Sequence, residues 1–208
     1  DIIESDNGLL TTIAYQIEGK DPLYALEGSV PIAGAAVQWL RDNLNIIKSS
    51  DEIESLAMGE KDNGDVYFVP AFSGLFSPHW DETARGALFG LTRFSNKSHI
   101  ARSVLESVAF QSFELLQSME KDLDIEFQNL KVDGGMISNN LLMQFQSDIL
   151  NKTIISQEIN EITALGAGVA SFIFAENLNI KNVGDFISTS KTWNPNMSNE
   201  SRVNLLSS

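Results

Sequence analysis

The chain has 208 residues, of which 43% are hydrophobic and 20% charged, as in an ordinary globular protein with room for a sizeable core. Its 28 acidic and 14 basic residues give a net charge of −14, so the surface repels nucleic acid and anionic membranes, and we expect neither as a partner. The absence of cysteine excludes disulfides and thiolate chemistry and is compatible with the cytoplasm, the location we expect.

The first elements in chain order are two short β-prone segments, LLTTIAYQ and LYALEGS. The polar turn EGKDP joins them, which predicts a β-hairpin. A helix is predicted next, through AGAAVQWLRDNL, with Ser29 as its N-cap and Pro31 in its first turn. Residues 46–64 are polar and acidic and predict a short helix and a loop. VYFVP then predicts a strand that ends at Pro70.

The middle of the chain predicts a long irregular loop at residues 71–86, followed by a strand in ALFGL. A helix from about Ser95 to Lys121 has a wide apolar face of the kind that packs on a sheet. Arg102 and Glu106 lie one turn apart in it, and we interpret them as a surface ion pair of little energetic weight.

The last part alternates strands and helices. A strand ends at Val132, a helix runs from about Ser138 to Leu150, TIIS is a brief strand, and residues 163–175 form a small-residue helix suited to packing on a sheet. The polar tail from Asn177 predicts one more helix. The whole pattern predicts an α/β fold, a mixed β-sheet with helices on both faces.

The segment KVDGGMISNN is the first candidate site, because a strand ends in Asp133, Gly134 and Gly135 where a helix begins. The glycines remove side chains at a place where a ligand can approach the backbone, and the helix N-terminus attracts anions. Alternatively, the same sequence forms a tight turn that needs glycine only for its backbone angles. In either case we expect the Asp133 carboxylate to cap the turn.

The second candidate site lies in PIAGAAVQWL, where Gly34 and Gln38 are one helical turn apart on one face. Glycine leaves room for a flat ring, and the amide can hydrogen-bond the rim of that ring or a ribose. Close helix packing through the small residues, with Gln38 merely solvated, is the alternative. The two histidines, His79 and His99, are not spaced as metal ligands, so no metal site of the protein itself is predicted.

These segments resemble the C-terminal part of the FGGY family of carbohydrate kinases, and its glycerol kinase branch in particular. The resemblance is carried by GALFGLTRFSNKSHIARSVLE, VPAFSGLFSPHWDETARGALFGLTR and KVDGGMISNNLLMQFQSDIL. It implies an actin-like, ribonuclease-H-like domain that binds ATP or ADP with Mg²⁺. It also implies that Gly34, Gln38, Gly135 and Asn139 contact the nucleotide, with Gly134 at the adjacent small position.

The resemblance further implies that residues 1–208 are a fragment, the C-terminal ATP-binding domain without the N-terminal substrate domain. The catalytic Asp and the residues that hold glycerol belong to that other domain, so no catalytic residue is expected here. Glycerol and the nucleotide are the expected small-molecule partners, and a homo-oligomer is allowed. Two alternatives remain: another FGGY sugar kinase, of the xylulose or gluconate type, and a non-catalytic actin-like nucleotide-binding module.

Overall fold

A computed structural model describes residues 2–159, 161–176 and 188–207 of the chain. The chain divides into two compact units, Asp1–Phe127 and Gln128–Ser208, each with its own network of contacts. No helix in the described ranges is long and apolar enough to cross a membrane.

The first unit opens with the predicted hairpin. Strand β1 (Leu10–Tyr15) pairs antiparallel with β2 (Leu23–Glu27). The connecting turn contains Gly19, whose φ of +75° lies in the left-handed region that suits glycine. The sequence prediction is therefore confirmed at this hairpin.

Helix α1 (Gly34–Asp42) begins later than predicted. Its N-cap is Ala33, which makes no side-chain capping bond, so the cap assigned to Ser29 is wrong. The reason lies in Pro31, because a proline disfavours the helical conformation of the residue before it, here Val30. The buried side of α1 consists of Ala36, Val37 and Leu40.

The rest of the first unit follows the prediction. Helix α2 (Glu52–Ala57) is short, and β3 (Tyr67–Val69) pairs antiparallel with β4 (Ala87–Phe89) across the long loop. Helix α3 (Lys97–Leu123) starts at a capping box formed by Asn96 and His99. Its buried apolar face includes Ala101, Val104, Leu105, Val108 and Ala109.

The second unit is built on a three-stranded mixed sheet in the order β5–β6–β7. Strand β5 (Asn129–Val132) runs parallel to β6 (Thr153–Gln157), and β7 (Thr189–Trp193) pairs antiparallel with β6. Together with the helices this confirms an α/β protein. Within the described ranges β1–β2 and β3–β4 are separate two-stranded sheets rather than part of one large sheet.

Three helices complete the second unit: α4 (Asn140–Leu150), α5 (Ile162–Ala175) and α6 (Asn199–Ser207). Helix α4 packs on β6 through buried residues such as Leu142 and Ile149. Helix α5 has one buried residue, Val169, so the predicted close packing of its small residues on a sheet is not observed there. The tail contains the predicted helix as α6, but strand β7 was not predicted; residues 177–187 lie outside the described ranges.

Candidate functional site

The turn from β5 into α4 leaves an open space over its two glycines. Gly134 has φ +90° and ψ 177°, a conformation almost confined to glycine. Gly135 begins a single 3₁₀ turn (Gly135–Ser138) that leads into α4. A Cβ built on either glycine meets no atom of the described residues within 4 Å, its two chain neighbours aside. The backbone conformation therefore requires glycine at 134 only, whereas at 135 a side chain would project into empty space.

Asn139 connects this turn to α4 and has an unused hydrogen-bond donor. Its Oδ1 accepts from the backbone N–H of Leu142 at 2.8 Å and so caps the helix. The residue is 7% exposed, and its buried Nδ2 has no partner in the described structure. A buried donor left unpaired costs about 1–3 kcal/mol. Such a group next to an open backbone turn is typical of a ligand contact.

The Asp133 carboxylate does not cap this turn as predicted. Asp133 is exposed, and none of the N–H groups of the described turn donates to it. The turn is closed instead by bonds to its own carbonyl groups, since the N–H of Ile137 donates to the carbonyl of Gly134 at 3.3 Å. The carboxylate is consequently available at the carboxyl end of β5.

Gly34 and Gln38 lie at the start of α1, away from its buried side. Gly34 is half-buried and Gln38 is exposed, whereas Ala36 and Val37 are packed in the core. Both interpretations of this helix therefore hold in part. Ala36 and Val37 pack in the core, and the side that carries Gly34 and Gln38 is accessible. No side chain caps the N-terminus of α1, where the N–H of Ala36 donates to the carbonyl of Ala33 at 3.0 Å.

The predicted residues therefore fall into two local groups. Gly134, Gly135 and Asn139 come together in one turn of the second unit, and Gly34 and Gln38 share one helix of the first unit. Gln157, at the end of β6, is a buried polar residue that the sequence analysis did not identify. Its only sequence signal is its place at the polar end of a short strand, directly after Ser156.

The burial of Glu106 corrects the interpretation of Arg102 and Glu106 as a surface ion pair. Glu106 is 5% exposed, and its Oε1 accepts from Arg102 Nε at 2.9 Å, so this is a buried pair and not a surface pair. Burial raises the pKa of Glu106 to about 7, although the ion pair with Arg102 opposes that rise. Besides Arg102, the groups that act on this carboxylate are Asn63 and Asp62, which lie in the segment between α2 and β3.

The described residues contain no group of three or more His, Cys, Asp or Glu side chains that could hold a metal ion.

Comparison with known proteins connects these features. The chain is 52% identical over 205 residues to a glycerol kinase of Brucella anthropi, covering 98% of this chain and 41% of that protein. It is 57% identical over 169 residues to a glycerol kinase of Methylobacterium radiotolerans, covering 81% of this chain and 34% of that protein. The chain thus spans about two fifths or less of the length of these relatives.

The crystal structure of Plasmodium falciparum glycerol kinase with ADP superimposes on the whole chain with a TM-score of 0.89 and 35% sequence identity, over 42% of that protein. Residues 2–174 match the model of the C-terminal domain of the FGGY family of carbohydrate kinases. The resemblance expected from the sequence is confirmed: the chain belongs to the FGGY family of carbohydrate kinases and corresponds to its C-terminal domain.

Proposed function

We propose that the chain is the ATP-binding part of a glycerol kinase, an enzyme that transfers the γ-phosphoryl group of ATP to glycerol to form glycerol 3-phosphate and ADP. The support is the identity of 52% and 57% to two glycerol kinases and the similarity to a crystal structure of glycerol kinase with ADP. The proposal includes an actin-like, ribonuclease-H-like arrangement with helices on both faces of the sheet, and a cytoplasmic location where ATP is available.

The observation that carries the nucleotide assignment is the β5–α4 turn. The open space over Gly135 accommodates a ligand against the backbone, and the unpaired Nδ2 of Asn139 offers it a hydrogen bond. The N-terminus of α4 adds a positive dipole end, which favours a negatively charged ligand. A nucleoside di- or triphosphate meets all three conditions.

Gly34 and Gln38 supply a second set of contacts in this proposal. The exposed Gln38 amide offers both a donor and an acceptor to a ribose or to the edge of a base. The absence of a side chain at Gly34 leaves the start of α1 accessible to a flat ring. These residues bind and orient the nucleotide, and we assign no residue of this chain to the chemical step.

ATP, when bound, supplies the phosphoryl group, and Mg²⁺ neutralises part of its charge. The chain contributes positioning: the glycine turn admits the phosphates, and the backbone N–H groups and the Asn139 amide donate to the ligand. This donor set fits a nucleotide on a protein of net charge −14, because backbone dipoles take the place of a basic patch. Glycerol binding and proton abstraction belong to the remainder of the kinase.

The test is calorimetric titration of the protein with ADP in the presence of Mg²⁺, using Asn139→Asp as the variant. Aspartate keeps the oxygen that caps α4 but replaces the donor with an acceptor, so we expect the fold to persist and ADP binding to fall at least tenfold. Asn151→Asp, at the other end of α4, is the matched control and is expected to bind like wild type. Equal ADP affinity in Asn139→Asp and wild type would show that the nucleotide does not bind at this turn.

A further inference from the structure

The carboxyl edge of the parallel strands β5 and β6 places two residues with oxygen-bearing side chains at neighbouring positions. Val132 of β5 is in register with Ser156 of β6. The next residues along the two chains are Asp133 and Gln157, which therefore occupy neighbouring positions about 5 Å apart at this edge. Asp133 is exposed, whereas Gln157 is buried. Ligands of open α/β sheets bind outside this edge.

Gln157 has a buried acceptor that nothing in the described protein satisfies. The residue is 9% exposed, and its Oε1 is fully buried without a hydrogen-bond partner in the described structure. Within the described part of the second unit, only Asn139 and Gln157 have such a side-chain atom. Asn139 ends the Gly134–Gly135 turn, and Gln157 lies next to Asp133, where that turn begins. An unpaired donor and an unpaired acceptor thus flank the same open turn.

We propose that Gln157 contacts the bound nucleotide complex, its Oε1 accepting a hydrogen bond from an O–H donor of that complex. This inference rests on the proposed function. The donor is a ribose hydroxyl or a water bound to the nucleotide's metal ion; phosphate oxygens are excluded because they, like the amide oxygen, only accept. The neighbouring Asp133 carboxylate is exposed and keeps the position polar, which suits a hydroxyl or a bound water better than the face of a base.

The test uses Gln157→Met, which keeps the length of the side chain and removes the amide. The protein without ligand should be at least as resistant to heat as wild type, because an unpaired buried acceptor has been removed. Affinity for ADP with Mg²⁺ should fall about three- to tenfold, as expected for the loss of one hydrogen bond. A purely structural role for Gln157 would lower the melting temperature instead.

Gln144→Met is the matched control because the Nε2 of Gln144 uses both of its hydrogen-bond donors, one to Asp148 at 3.1 Å and one to the carbonyl of Asn194 at 2.8 Å. This variant should lose thermal stability and keep wild-type affinity for ADP. The two glutamine variants therefore have opposite expected signatures in stability and in binding.

Titrations with 2′-deoxy-ADP, with 3′-deoxy-ADP and with ADP in EDTA separate the two donors. If a ribose hydroxyl is the donor, the difference between wild type and Gln157→Met disappears with one deoxynucleotide; if a metal-bound water is the donor, it disappears in EDTA. A difference that survives in all three titrations, unchanged ADP affinity in Gln157→Met, or a stability loss like that of Gln144→Met would each overturn the inference. Wild-type protein that binds no ADP would instead overturn the proposed function, and this inference with it.

Discussion

Arg102 Nε lies 2.9 Å from Oε1 of Glu106, within one helix, and the carboxylate of this pair is buried almost completely. Burial outweighs the attraction of the guanidinium and raises the pKa of Glu106 from 4.5 to about 7. In the folded protein Glu106 consequently changes its protonation near neutral pH instead of near pH 4.5.

This pair predicts a specific pH dependence of stability. Because the folded pKa exceeds the unfolded one, the stabilising contribution of protonated Glu106 is fully present below about pH 4.5 and is lost as the pH rises through about 7. The glutamine in Glu106→Gln cannot ionise, so the variant does not lose this contribution. The free energy of unfolding of the variant minus that of wild type should therefore increase from pH 5 to pH 8 by on the order of 1–3 kcal/mol. Urea unfolding at both pH values measures the difference.

The control for this prediction is Glu82→Gln, which removes one exposed carboxylate from the long loop. Like Glu106→Gln, it replaces one glutamate with glutamine, and it should show little difference from wild type between the two pH values. If the free energy of unfolding increased equally in both variants, relative to wild type, overall charge and not burial of Glu106 would be the cause.

The two adjacent glycines of the β5–α4 turn should respond in opposite ways to a new side chain. Gly135→Val places its Cβ where no atom of the described residues lies within 4 Å, its chain neighbours aside, so folding should be retained while ADP binding is strongly weakened. Gly134→Ala should instead lose about 1–3 kcal/mol of stability, because φ +90° with ψ 177° is strained for any residue with a Cβ. Thermal unfolding and ADP titration of both variants test the pair.

In the intact kinase, Gly135→Val should raise the Michaelis constant for ATP far more than the Michaelis constant for glycerol. The reason is that the branched side chain occupies nucleotide space and leaves the acceptor substrate untouched. Equal increases for the two substrates would contradict the placement of the nucleotide at this turn.

The start of α1 provides an independent check of the nucleotide assignment. Gln38→Ala removes one exposed hydrogen-bonding group and should weaken ADP binding by about 0.5–1.5 kcal/mol. Gly34→Leu should be worse, because it fills the space left for a ring. Ala35→Leu adds the same side chain at an exposed neighbouring position and should bind ADP normally. Unchanged affinity in both site variants would show that α1 does not line the site.

Much of this fold could be predicted because many of its elements have a signal within their own stretch of sequence. The hairpin, the long apolar-faced α3 and the strand–glycine–helix passage at residues 129–150 all have a clear period or turn signal. Strand β7 has none: TSKTW is short and polar, and it becomes a strand only by pairing with β6, far away in sequence.

The same distinction applies to the polar residues. Glycines at a strand end can be identified from the letters alone, and so can an asparagine that begins a helix. The burial of Glu106 and Gln157 cannot, because it depends on which elements cover α3 and the end of β6. An ion pair one helical turn apart has the same sequence whether it lies on the surface or in the core. Only the packing distinguishes a weak surface pair from one that shifts a pKa.

The last prediction concerns these 208 residues as a separate protein. We expect them to fold at least in part, because each of the two units has buried apolar residues of its own. ADP should bind weakly, since the chain covers only about two fifths of the length of its glycerol kinase relatives and the ligand would be enclosed on one side. Glycerol phosphorylation should be absent, because the proposal assigns glycerol binding and the catalytic base to the remainder of the kinase and phosphoryl transfer requires closure around both substrates. Co-expression with the N-terminal half of a close relative should restore activity if the two halves associate.

The measurement is ATP turnover dependent on glycerol, with protein from a host that lacks its own glycerol kinase. Turnover by the 208 residues alone would mean that the catalytic machinery lies in this chain and that its assignment elsewhere is wrong.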